Sequence, residues 1–223
     1  GLLRSLAKGR RHPPLCLLVD ELGVHFDATA PSRLEQRIGE PLSSEQLARA
    51  RAVQRLWCSQ RLSKLNPARE SPAPEQRFVL VVDQSAGDLS IPLGLAEPES
   101  FQQMLQAALA EHPDCTVVVK VHPDVIRGQA RGHFRPEALR HRRIRLCADG
   151  RHPAALLERA EAVYVVTSQM GFEALLWGRP VHCFGMPFYA GWGLTQDRLT
   201  PPERRTGPVF ARAPWAGAPC ELP

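Results

Sequence analysis

Much that would announce a function is missing from this chain. No apolar run in its 223 residues approaches the ~20 needed for a membrane-spanning helix. The opening residues, GLLRSLAKGRRHPP, hold no apolar leader core and no initiator Met, so the chain is expected to be part of a longer protein. Six cysteines (16, 58, 115, 147, 183 and 220) are scattered without a C-x-x-C pair, which argues against a zinc site or a disulfide framework. Reduced thiols in a cytoplasmic protein are the plain reading. Aromatics make up only 6% and are not interleaved with basic residues, and no nucleic-acid module is recognisable, so nucleic acid is not an expected partner. Lysine is almost absent: only Lys8, Lys64 and Lys120 occur.

The positive charge is therefore mostly arginine. A net charge of +5 and a pI of about 9.1 favour anionic partners and would suit peripheral attachment to an anionic inner membrane. A composition of 43% hydrophobic and 23% charged residues suits one or two globular domains. Leu15–Val19 and Val24–Phe26 flank Leu22-Gly23 as a β-hairpin would. A short helix starts at Pro31-Ser32-Arg33. Ser43-x-x-Gln46 is a capping box that opens a helix running to about Leu62, with Leu47, Ala50, Val53, Leu56 and Trp57 on its apolar stripe. Residues 1–66 form a partial N-terminal region, and the Pro-rich stretch 67–77 is a linker. From Phe78, short β-branched runs alternate with helical segments. Strands are expected at Phe78–Val82, Cys115–Val121, Arg143–Cys147, Val163–Val166 and Val181–Gly185, and helices at Pro98–Ala110, Pro153–Ala160 and Gly171–Trp177. That alternation predicts an α/β domain over 78–206, a parallel sheet flanked by helices. The Pro/Ala/Gly-rich tail 207–223 should be irregular.

In a doubly wound sheet, ligands bind beyond the carboxyl ends of the strands. Three strand ends there carry polar residues. The loop after Val82 brings Asp83, Gln84 and Asp88. Lys120, His122, Pro123 and Asp124 follow the second strand. Thr167 and Ser168 start a helix that carries Glu173. A helix N-terminus with two hydroxyls suits a phosphate, although Ser168 could simply cap the helix. Asp88 suits a nucleophile or base, or an Asx turn. His122 suits a donor to a leaving phosphate, or a strand-end histidine bonded to backbone. Lys120, within Val-Val-Val-Lys-Val, points to one face of a buried strand and needs an anionic partner. Pro187–Thr195 packs Phe188, Tyr189 and Trp192 among glycines, either as an exposed ring surface for a sugar or base or as a loop packed on the sheet.

Four segments resemble one family. They are the Gln84–Asp88 Q-x-x-x-D motif, Lys120-Val121-His122-Pro123-Asp124-Val125, Thr167–Leu176 (TSQMGFEALL) and Pro187–Thr195 (PFYAGWGLT). Weaker matches are Leu3-Arg4-Ser5, Asp27–Ser32 and Ser63–Asn66. In order and spacing, from about Gly1 to Arg205, the chain is similar to one module of the bacterial capsule polysaccharide β-Kdo transferases of the KpsC/LipA type. The resemblance implies a GT-B-like retaining enzyme that moves Kdo from CMP-Kdo to a lipid-linked acceptor of phosphatidylglycerol type, beside capsule assembly proteins. It assigns Asp88 as nucleophile, Gln84 as its motif partner, and His122 and Pro123 to the CMP phosphate. Thr167, Ser168 and Glu173 would hold phosphate and ribose, with Lys120, Gly171, Tyr189 and Trp192 also on the substrate side. No metal and no cofactor besides the CMP-Kdo donor is implied. The family module has a further nucleotide-fold half ahead of residue 1 and helices after Arg205, so an incomplete module is expected. Two other readings stay open: another CMP-sugar transferase of sialyltransferase-like kind, and a non-catalytic nucleotide-binding module of a capsule assembly complex.

Overall fold

The computed structural model describes residues 19–64, 66, 68–134 and 136–205. The first half of the expected hairpin, the Leu3-Arg4-Ser5 match and the tail 207–223 lie outside the described residues. Six parallel strands form one sheet: β1 (Phe78–Val82), β2 (Thr116–Lys120), β3 (Ile144–Cys147), β4 (Val163–Val165), β5 (Val181–Cys183) and β6 (Gln196–Asp197). Their spatial order is β3-β2-β1-β4-β5-β6, with Val82 paired to Lys120 and Val81 to Tyr164. The chain winds outward from β1 to β3, then returns to β4 on the other side of β1. That reversal, between β1 and β4, is the switch point of a doubly wound sheet.

The central strands are buried on both faces, which is why they read as unbroken Val/Leu runs. Alternate residues serve two cores. Val79 and Val81 pack with Phe101, Met104, Leu105 and Ala108, a stripe at helical spacing on α4 (Glu99–Glu111). Phe78, Leu80 and Val82 pack on the opposite face with Leu156 and Leu157 of α6 (Ala154–Arg159) and Ala174 and Leu175 of α7 (Gln169–Leu176). Two short turns of helix, α3 (Ser90–Leu93) and α5 (Pro123–Ile126), follow β1 and β2.

Among the described residues, two helices precede the sheet. α1 (Arg33–Gly39) and α2 (Ser44–Ser59) both start on capping boxes, Ser32/Glu35 and Ser43/Gln46. The expected apolar stripe of α2 faces inward only in part. Leu47, Ala50 and Trp57 are half-buried, Gln54 and Cys58 are buried, and Val53 and Leu56 are 51% and 55% exposed. The reason is a carbonyl: α7 ends with free C=O groups, and Gln54 Nε2 donates to Leu176 O at 2.9 Å. α2 therefore docks with Gln54 at its seam. Val24–Phe26 forms no strand either; Asp20 Oδ1 accepts from the N–H groups of Leu22 and Gly23, which turns the chain locally. Among the described residues no helix is long and apolar enough to cross a membrane.

Candidate active site

The loops after β1 and β4 meet at the switch point through one side chain. Gln84 is 4% exposed. Its Oε1 accepts the backbone N–H of Thr167 at 3.0 Å, and its Nε2 donates to Thr167 Oγ1 at 3.0 Å. Ser90 Oγ lies 3.0 Å from the same hydroxyl. Asp83, beneath this bridge, accepts from the N–H groups of Gln84 and His133, and burial pushes its carboxyl up against those bonds. The loop then turns at Gly87, whose φ of +82° suits glycine. Asp88 stands at the exposed rim. Its Oδ1 accepts from the N–H and hydroxyl of Ser90 at 3.0 and 2.9 Å, the Asx geometry, and its Oδ2 lies 3.5 Å from Gln84 Nε2.

His122 follows β2 and reaches the same loop. Its Nδ1 lies 3.1 Å from Ser85 Oγ and accepts the Asp124 N–H at 3.1 Å, while Ser85 O accepts the Asp88 N–H. Ser85 thus touches both His122 and Asp88 in the loop that follows β1. Burial holds the imidazole below its ordinary pKa, although the Asp124 carboxylate pulls it up. Pro123 opens α5; its side chain lies outside the described set.

Lys120 ends β2, 2% exposed, with Nζ donating to Arg151 O at 2.9 Å. Among the described residues no carboxylate comes within ion-pair distance of it, and burial lowers its pKa. Glu173 is also 2% exposed. Its Oε1 accepts the Lys64 N–H at 3.2 Å, and its Oε2 is buried without a hydrogen-bond partner. Burial raises its pKa, opposed by the Ser63 hydroxyl and the Lys64 N–H. Lys64, Asp83, Lys120, His122, Ser168 and Glu173 line one groove. Ser168 caps α7, its Oγ accepting the Met170 N–H at 3.3 Å. The groove joins the positive end of a helix, an imidazole and an ammonium short of counter-charge, so it is suited to an anionic ligand.

Of the two readings of Pro187–Thr195, the packed loop is the one seen. Tyr189 and Trp192 are 2% and 3% exposed. The Tyr189 hydroxyl donates to Ser168 O, and Trp192 Nε1 donates to Phe188 O at 2.8 Å. Tyr189 supports the wall of the groove, and Trp192 packs within its own loop beside Arg205. Gly171 is tied to Tyr189, because a Cβ there would come within 2.8 Å of its Cζ. Arg205 anchors the loop from below, fully buried, with Nη1 donating to Pro187 O at 2.7 Å and Nε to Glu35 Oε1 at 2.5 Å. Sequence reasoning missed Arg205, which sits in a polar stretch that reads as surface. It also missed Ser85 and Ser90 as partners of His122 and Thr167. Among the described residues no group of three His, Cys, Asp or Glu side chains is arranged to hold a metal ion.

The family described as capsule polysaccharide biosynthesis protein matches residues 36–213. The capsule polysaccharide modification protein LipA of Neisseria meningitidis serogroup A is 43% identical over 209 residues, covering 89% of this chain and 29% of LipA. The lipopolysaccharide-processing protein LpsZ of Rhizobium meliloti is 36% identical, over 96% of this chain and 51% of LpsZ. Among solved structures, the β-Kdo 2,4 transferase of Thermosulfurimonas dismutans KpsC is 40% identical with a TM-score of 0.79, covering 86% of this chain and 61% of that one. The β-Kdo 2,7 transferase of the same KpsC is 31% identical with a TM-score of 0.67, covering 87% and 61%. The chain spans 29% of LipA and about half of LpsZ, so it corresponds to part of those proteins.

The sheet order, the groove at the switch point and the likeness to KpsC define a partial module of GT-B-like architecture. The chain belongs to the capsule polysaccharide biosynthesis protein family, in its KpsC/LipA type.

Proposed function

We propose that this chain is the donor-binding part of a β-Kdo glycosyltransferase that takes Kdo from CMP-Kdo and acts in capsule polysaccharide synthesis. The observation that carries the reading is the 40% identity and TM-score of 0.79 to a β-Kdo 2,4 transferase. The lower likeness to the 2,7 transferase, at 31% and 0.67, favours a 2,4 linkage. The donor's phosphate would lie at the α7 N-terminus between Ser168 and His122, and its ribose near Glu173. Kdo reacts at a ketal carbon, so the transition state is oxocarbenium-like. Attack by the Asp88 carboxylate breaks the bond to CMP and forms a glycosyl-enzyme ester. The acceptor hydroxyl then displaces the Asp88 carboxylate, losing its proton to water as the new bond forms, and two inversions give retention. Gln84 Nε2, near Asp88 Oδ2, orients the carboxylate. Lys120 neutralises the sugar carboxylate. The acceptor is a lipid-linked glycan of phosphatidylglycerol type, met at the inner-membrane surface alongside capsule assembly proteins.

The test is transfer from CMP-Kdo to a Kdo-terminated glycolipid by the intact protein, with product linkage and anomer read by NMR. Asp88→Asn is expected to cut transfer by roughly a thousandfold or more while CMP affinity holds within about threefold. Undiminished transfer by this variant would remove Asp88 as nucleophile. Preference for CMP-sialic acid would favour the sialyltransferase-like reading, and CMP binding without any transfer the scaffold reading.

A further inference from the structure

The polar contacts of His122 fix more than its position. Two groups converge on Nδ1: the backbone N–H of Asp124 at 3.1 Å and the hydroxyl of Ser85 at 3.1 Å. A backbone N–H can only donate. Nδ1 must therefore be the unprotonated ring nitrogen, and a neutral imidazole then carries its one hydrogen on Nε2. With Nδ1 an acceptor, the Ser85 hydroxyl can meet it only as a donor. Nε2 is engaged by no partner among the described residues, and His122 lines the groove. The ring thus turns a single N–H donor toward the ligand side and keeps its basic nitrogen turned toward the protein.

We infer that Ser85 is a positioning residue that, with the Asp124 N–H, locks His122 as a neutral Nε2–H donor, so that the ring gives the donor phosphate a hydrogen bond and not a proton. A second proton on Nδ1 would point at two hydrogens already there, so the charged ring is disfavoured by geometry as well as by burial. The charged groups facing the ring are the Asp124, Asp83 and Asp88 carboxylates, which favour its protonation, and the Lys64 ammonium, which opposes it. A phosphate ester needs no proton to leave, because its anion is already stable. A fixed N–H aimed at the developing charge costs no reorganisation during the reaction.

The inference rests on the proposed function for the identity of the ligand, but not for the state of the ring. It is tested on intact protein labelled with 15N-histidine, free of ligand, with wild type, Ser85→Ala and Ser85→Thr compared. The wild-type ring should show an unprotonated Nδ1 and a protonated Nε2 at neutral pH. Ser85→Ala leaves the Asp124 N–H on Nδ1, so the Nε2–H tautomer should persist, but the His122 pKa should rise by about half a unit or more, and CMP binding should weaken by about three- to tenfold. Ser85→Thr, which keeps the hydroxyl, should restore both. An Nδ1–H tautomer in the wild type would overturn the inference, as would Ser85→Ala leaving the titration unchanged. A protein that binds no CMP would sink the function reading, while the ring assignment would still stand or fall on the spectrum.

Discussion

Replacing Gly171 by Ala pits two opposed effects against each other at the wall of the groove. Gly171 lies in the first turn of α7, where Ala is intrinsically the better helix former by about 1 kcal/mol. On that ground alone the variant should be more stable. The packing says otherwise. The new methyl would sit 2.8 Å from Tyr189 Cζ and 3.0 Å from Cε2, and closer still to the hydroxyl. Tyr189 is buried and its hydroxyl donates to Ser168 O, so it has no free direction to retreat. Overpacking of this kind costs about 1–3 kcal/mol. Losing the buried hydrogen bond adds about 1–3 kcal/mol. The net expectation is a loss of about 1–5 kcal/mol, the sum of those two costs less the propensity gain. Thermal unfolding should show a fall of roughly 2–20 °C. Adding Tyr189→Phe removes the atom that meets the methyl most closely, so the double variant should be less destabilised than the two single losses added, with a coupling of about 1 kcal/mol or more. Gly171→Ala that melts at or above the wild-type temperature would refute the reasoning, because helix propensity would then outweigh the contact.

Acid should weaken the far side of the sheet. Burial lowers the pKa of His182 to about 4, and its Nδ1 lies 3.4 Å from Glu111 Oε2 without hydrogen-bond geometry. The unfolded chain binds this proton near pH 6.5 and the folded chain near 4, so the contribution is complete above 6.5 and is lost as the pH falls through 4. Its full size is about 3 kcal/mol; His182→Phe should remove much of the fall in melting temperature between those limits, and parallel wild-type and variant curves would contradict this. Arg205→Met should cost about 3–5 kcal/mol in urea unfolding because it strands Glu35 beside Arg204 alone. Arg205→Lys should not rescue it, since one ammonium cannot span both Glu35 and the Pro187 carbonyl.

How much could be read in advance varied with the range of the interaction. β1, β2 and β4 were legible because a strand buried on both faces needs apolar residues at every position, and few other structures tolerate that run. Ser32 and Ser43 were legible because a capping box closes within four residues. Val53 and Leu56 misled because the seam of α2 was decided by a carbonyl more than a hundred residues away, at Leu176. Tyr189 and Trp192 were ambiguous for a similar reason: an aromatic next to glycine fits a binding surface or a packed corner equally well until the backbone around it is known. At the site, the strand ends pointed to Gln84, His122 and Thr167. The partnership of Ser85 with His122 and the role of Arg205 depend on chain crossings that local patterns do not record.

Gln84 and Thr167 lie 83 positions apart, yet the amide oxygen of one takes up the backbone N–H of the other. Such a crevice is completed late. A nascent chain that has laid down its first three strands already holds His122 and Lys120 but lacks the hydroxylated helix start that shares their groove. The full grip on an anion therefore arrives only when the fourth strand slots in beside the first.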